Sequence, residues 1–226
     1  MAGSPSARVA VSSGSAFVVL LGMLHVLEPG LDPSWSVVSE YQLGAYGWIM
    51  TLAFLAMAAS CLAGSAALWP NLPTLGGRIG LLLVALAGAG AVLAAVFATD
   101  PPSLGPASAT PRGRLHELGA MLGGALPWGA ALITWGVRRS EAWRGRRAWL
   151  VLATALVWAA TIAFAASLAV LLPAHGGRLG PGVTVGWQNR AMIAAYALWP
   201  AAAAWLATRS RAGAARAAGA VPAAAR

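Results

Sequence analysis

Lysine is absent from the 226 residues, cysteine occurs once, and only 9% of the chain is charged. Each scarcity excludes something. Without lysine there is no Schiff-base nucleophile and no phosphate-cradling P-loop, both of which need that amine. A lone thiol, Cys61, makes neither an intrachain disulfide nor a cysteine-rich zinc site. Soluble domains carry about 25% charged residues. With 59% hydrophobic residues here, polar surface is too scarce to cover a water-soluble fold of this length, and a disordered chain is excluded on the same ground. Lipid must be the solvent for most of the protein. All fifteen basic residues are arginine, and six carboxylates with three histidines complete the inventory for proton or metal chemistry.

Long apolar runs are what the chain has instead. A membrane-spanning helix needs about 20 mostly apolar residues, and six runs qualify: 9–26, 46–69, 79–98, 115–137, 148–172 and 187–207. Pro29, Pro70, Pro101 and Pro173 follow four of them, where a helix does not easily continue. No strand-like alternation competes. The expected fold is all-α: a polytopic six-transmembrane-helix bundle over residues 1–208, followed by a flexible Ala/Arg-rich cytoplasmic tail at 209–226. The first run ends in His25-Val26-Leu27-Glu28-Pro29 without a small-residue cleavage pattern, so it is read as a retained helix rather than a signal peptide.

Arginine placement orients the bundle, because cytoplasmic loops retain positive charge. One side holds Arg8, Arg78, the Arg138–Arg147 run and the tail's Arg209, Arg211, Arg216 and Arg226, a net charge of +10 after Glu141. The other side holds four arginines against five carboxylates, a net −1. Both termini are therefore expected to be cytoplasmic. The basic loop and tail then lie against an anionic leaflet, and no soluble basic-aromatic module for nucleic acid exists. Trp48 and Trp187 fall at the outer span ends and Trp69, Trp135, Trp149 and Trp205 at the inner ends, as two interfacial belts. Small residues supply close helix contacts: Ala87, Ala91 and Ala95 with Gly88 and Gly90 in the third span, and Ala120 and Gly124 with Gly119 and Gly123 in the fourth.

Five of the six carboxylates and all three histidines fall on the outer side. Thr110-Pro111 reads as an N-cap with proline in the first helical position, which puts His116 and Glu117 in the second turn of the fourth span. Asp32-Pro33 reads as another such start, with a short interfacial helix over 34–41 and Gly44 and Gly47 permitting sharp re-entry into the second span. Ionisable residues within spans tend to face the bundle interior and to pair with one another. The expected pocket comprises His25, Glu40, Tyr41, Asp100, Arg114, His116, Glu117 and Arg190, with an ion pair from Arg190 to Asp100 or Glu117. Each residue also has a structural use: Glu117 suits a helix N-terminus, Arg190 could snorkel to the interface, and His175 belongs to an exposed Gly-rich loop.

The series Leu31-Asp32-Pro33, Ser39-Glu40-Tyr41, Leu43-Gly44, Tyr46-Gly47-Trp48, Phe97-Ala98-Thr99-Asp100-Pro101, His116-Glu117-Leu118-Gly119-Ala120 and Arg190 resembles the bacterial domain-of-unknown-function 998 membrane proteins across nearly the whole chain. That resemblance implies a six-span protein of a bacterial plasma (inner) membrane and no established activity. A looser likeness, through His116, Gly119 and Ala120, runs to DRAM-type and GPI-anchor-remodelling proteins and implies work on lipids.

Three functions compete. The first is non-catalytic binding of a lipid headgroup or small amphiphile, with Arg190 and Arg114 suited to phosphate or carboxylate. Membrane lipids are then the partners, nucleic acid is not, and no cofactor is expected. A membrane-protein partner or a second copy of the chain stays open. The second is a metal-assisted hydrolase or transferase acting on headgroups, with His25, Asp100 and His116 as ligands and Glu117 or Glu28 as catalytic base. The third is a haem protein with His25 and His116 as axial ligands.

Overall fold

The computed structural model describes residues 4–102, 104 and 108–219, with side chains through Thr208. Seven helices make six spans. They are α1 (Pro5–Leu27), α2 (Gly47–Leu68), α3 (Leu75–Val96), α4 (Pro111–Gly123), α5 (Ala125–Val137), α6 (Arg147–Ala174) and α7 (Gly186–Gly219). Six segments are long and apolar enough to cross a membrane: Pro5–Leu27, Gly47–Asn71, Leu75–Val96, Pro111–Val137, Arg147–Ala174 and Gly186–Thr208. The all-α six-span architecture expected from the apolar runs is the one observed. The Ala/Arg-rich tail continues α7 as helix to Gly219. Residues 220–226, and the side chains of Arg209, Arg211, Arg216 and Arg226, lie outside the described residues.

Start signals act as physical chemistry dictates. The Ser4, Thr74 and Thr110 side chains accept hydrogen bonds from Ala7, Gly77 and Gly113 N–H groups, capping α1, α3 and α4. Pro5 and Pro111 follow two of these caps, where a missing N–H costs nothing.

The fourth span is broken, which its apolar run did not foretell. Pro127 has no N–H for the Gly123 carbonyl, and its ring crowds that oxygen, so α4 stops at Gly123 and α5 restarts at Ala125. The consequence is positional. Both halves pack on α3, and α5 leans on α6, whereas α6 otherwise rests on α7. A wedge is left between α4 on one side and α6 and α7 on the other.

Close packing comes from glycine pairs. At Gly90 a Cβ would lie 2.4 Å from the Gly119 carbonyl oxygen, and at Gly119 one would lie 2.6 Å from the Gly90 carbonyl oxygen. Gly80 and Gly129 repeat the arrangement between α3 and α5, at 2.9 and 2.7 Å. Of the small-residue ridges expected on the fourth span, Gly119 and Gly123 are buried while Ala120 and Gly124 are exposed. Across α1, α2 and α7 the Ser60 hydroxyl bonds the Ala197 carbonyl at 2.8 Å beside Gly14. Such backbone-close contacts replace the hydrophobic drive that lipid does not supply.

Tryptophans divide by environment. Trp48, Trp69, Trp135, Trp149, Trp187 and Trp205 are all exposed, as interfacial anchors must be. Arg78 stacks over Trp69 at 3.8 Å and Arg138 over Trp135 at 3.3 Å. Trp199 is buried instead, and its Nε1–H donates to the Thr154 hydroxyl at 2.9 Å, which in turn meets Thr134 at 2.7 Å.

Candidate functional site

The polar residues expected to form one pocket separate into three groups. The first ties the loop between α1 and α2 to the start of α7. Arg190 is 5% exposed. Its Nε–H donates to His25 Nε2 at 2.8 Å, one terminal nitrogen donates to the Ser36 and Gly186 carbonyls, and the other donates to the Tyr41 hydroxyl at 3.1 Å. His25 Nδ1 bonds the Leu21 carbonyl at 2.7 Å, so its ring is the Nδ1–H tautomer with both nitrogens engaged. Trp187 stacks on the His25 ring at 6.2 Å between centroids. The expected ion pair between Arg190 and Asp100 or Glu117 does not form; Arg144 pairs with Glu141 at the basic end. The reason is proximity, because carbonyls of the first loop and an acceptor histidine already surround the guanidinium.

The second group starts α2. The loop turns at Asp32, whose Oδ1 accepts from Ser34 N–H at 2.8 Å and whose carboxyl this bond lowers below its ordinary range. A short 3-10 helix follows at Val38–Leu43 rather than over 34–41. Glu40, 4% exposed, accepts from the Val37 N–H at 2.9 Å and so caps its own turn. Glu28 accepts from the Tyr46 N–H at 2.7 Å and lies against Gly44, where a Cβ would be 2.5 Å from its carboxylate. At Gly47 a Cβ would be 2.3 Å from the Gln42 carbonyl, which is why re-entry needs glycine.

Burial pushes the Glu40 carboxyl above the ordinary carboxylate range, against the Val37 bond and the Arg190 charge. A carboxyl that prefers its proton in the fold subtracts stability as pH rises from the unfolded value through the folded one, and the loss is complete above that window. Glu40→Gln keeps an acceptor for Val37 and removes the ionisation. It is expected to leave thermal stability at neutral pH equal or higher, with a flatter profile between pH 4 and 7. A lower melting temperature at pH 7 would show that the ionised form is needed beside Arg190.

The third group starts α4. Asp100 accepts from the Thr110 hydroxyl and from the Thr110 N–H, both at 2.7 Å, and these bonds hold its carboxyl below the usual range. Gly113 lies beneath the carboxylate with no room for a side chain. His116, 5% exposed, bonds the Phe97 carbonyl through Nδ1 at 2.8 Å, fastening α4 to the end of α3. Arg114 and Glu117 are exposed.

A cavity of about 420 Å³ occupies the wedge left by the broken fourth span. Small-molecule sites run from about 300 to 1,000 Å³. Its walls are mostly apolar: Phe54 and Met57 from α2, Ala87, Gly90 and Ala91 from α3, Phe164 from α6, and Met192, Ile193 and Tyr196 from α7. Polar atoms gather toward the acidic end, from Ser39, Thr99, His116, Glu117 and Asn189. A smaller hollow of about 160 Å³, lined by Asp100, Arg178 and Leu179, shares Thr99 and Glu117 with it. Of the eight residues expected to line a pocket, His116 and Glu117 line the large cavity and Asp100 the small one, while His25, Glu40, Tyr41, Arg114 and Arg190 line neither.

Asn189, which opens the sixth span beside Arg190, lines the cavity, and the Thr161–Tyr196 pair is an addition that the charged-residue pattern did not single out. Asn189 accepts from the Val38 N–H at 2.9 Å, and Thr161 meets the Tyr196 hydroxyl at 3.0 Å. The available signal was a hydroxyl inside each of two apolar runs. Among the described residues no three His, Cys, Asp or Glu side chains converge as a metal would require. His25 is held by Arg190, apart from Asp100 and His116, so the ligand trio and the paired axial histidines expected above are not assembled.

No curated protein and no solved structure matches the chain, and the looser likeness to DRAM-type and GPI-anchor-remodelling proteins gains nothing from them. The bundle with its acidic-end motifs does match one family model, over residues 11–221: the chain belongs to the family described as Protein of unknown function (DUF998).

Proposed function

We propose that the protein binds a single-chain amphiphile or lipid in the wedge between α4, α6 and α7, without catalysis. The observation that carries this reading is the 420 Å³ cavity, mostly apolar along its length and with Ser39, Thr99, His116, Glu117 and Asn189 toward one end, with exposed Ala120 and Ala165 on its rim. An opening between two spans faces the bilayer, so the ligand enters sideways from lipid. The original anchor for a headgroup, Arg190, is replaced in this reading by Glu117 and His116. The binding end lies at the outer leaflet of a bacterial plasma membrane with both termini cytoplasmic. Support for that orientation is the +10 against −1 charge imbalance between the two sides and the family resemblance.

The test is native mass spectrometry of the full chain released from mild detergent, wild type beside Ala120→Trp and Ala165→Trp. These rim positions accept an indole without entering the packed core, and the ring fills the wedge. A lipid-sized mass retained by the wild type and reduced at least about tenfold in either variant, equivalent to about 1.4 kcal/mol, is the expected result. Equal retention in all three proteins would place the lipid elsewhere and end this reading.

A further inference from the structure

We infer that the head of the bound amphiphile is a cationic nitrogen received by Glu117, not a phosphate or carboxylate; this rests on the cavity reading above. The polar groups that a headgroup would meet decide the sign. Arg190, the arginine buried at this end of the bundle, donates from all three nitrogens to His25, Tyr41 and backbone carbonyls and lines neither hollow. Arg114 is exposed and also lines neither. Asp100 is occupied by two bonds to Thr110.

Glu117 differs from all of these. It lines both hollows and stands where they meet, and among the described residues no hydrogen bond or ion pair takes up its carboxylate. Arg178 lines the small outer hollow alone. The one carboxylate that lines the large cavity is therefore Glu117, and no arginine lines it. His116 beside Glu117 directs Nδ1 to the Phe97 carbonyl, which leaves Nε2 as its nitrogen for a ligand.

An alkylammonium seated here gives Glu117 a charge-assisted hydrogen bond at the edge of low-dielectric surroundings, where such bonds are strongest. The chain of the ligand then runs between Phe54, Met57, Phe164 and Ile193. An alkyl phosphate in the same position would bring two negative charges together inside a cavity that no arginine lines, since Arg178 lines the small hollow alone.

The experiment uses three probes of equal chain length, dodecylamine, dodecyl phosphate and dodecylphosphocholine, added to the purified full chain at pH 7. Bound fractions are read by native mass spectrometry. The wild type should prefer dodecylamine over dodecyl phosphate by about tenfold or more. Glu117→Gln should abolish that preference while keeping the probes' sensitivity to Ala120→Trp. Glu117→Arg should reverse it toward dodecyl phosphate, a gain that a misfolded variant would not produce. Tighter binding of dodecyl phosphate by the wild type, or an unchanged preference in Glu117→Gln, would overturn the assignment of the head. Binding of every probe unaffected by Ala120→Trp would overturn the cavity reading itself.

Discussion

Arg190→Met is expected to destabilise the protein by about 3 kcal/mol or more, the scale of losing hydrogen bonds from a charged donor and stranding buried acceptors. The guanidinium holds four features together: His25 at the end of α1, the Ser36 carbonyl in the first loop, the Tyr41 hydroxyl in the 3-10 helix, and the first turn of α7. Methionine keeps an apolar stem in place of arginine's methylenes, so the loss is chiefly of the donors and of the guanidinium's volume. Arg190→Lys should rescue little, because an ammonium is a single point and cannot reproduce donors spread over three nitrogens. Thermal unfolding in mild detergent, with His25→Ala alongside as a smaller loss, checks this. If Lys restores wild-type stability, charge alone matters and the fan of hydrogen bonds does not. Lipid or amphiphile retention, measured per folded molecule, should be unchanged, since Arg190 lies outside the cavity.

Gly119→Leu is the second large effect. Its Cβ would lie 2.6 Å from the Gly90 carbonyl oxygen and 2.9 Å from the Ala94 nitrogen, both backbone atoms that cannot rotate away. Overpacking a close-packed site costs about 1–3 kcal/mol and occasionally more, and a branched side chain between two touching backbones belongs at the upper end. The expected outcome is loss of monodisperse protein on size exclusion and a lowered melting temperature. Ala120→Leu, one residue along the same helix on the exposed face, should do neither. Equal damage from both changes would mean that α4 responds to added bulk anywhere, and that the Gly90–Gly119 crossing has no special part.

Composition and run length settled the class of this protein because they report its solvent. Few charges and six apolar stretches admit one environment, and in that environment backbone groups must satisfy themselves, so helices follow. Caps were legible for the same local reason: Thr110 and Pro111 act within a turn of their own position, and Gly47 is required by the nearby Gln42 carbonyl.

Partner choice was not legible, since it depends on where helices cross in space. Eight polar residues of the acidic end looked like one cluster, yet Arg190 met the carbonyls and histidine brought nearest to it rather than a distant carboxylate, Glu40 closed its own turn, and Glu28 and Asp100 closed the starts of α2 and α4. The cavity was hidden for a related reason. It arises from Pro127, which breaks the fourth span at Gly124 and lets α5 rest on α6 while α4 does not. Which environment the chain occupies, and how many times it crosses, was determined by the residues themselves; which acids and bases face a ligand was decided only by tertiary packing, because a hydrogen bond goes to the nearest competent group and distance belongs to the fold.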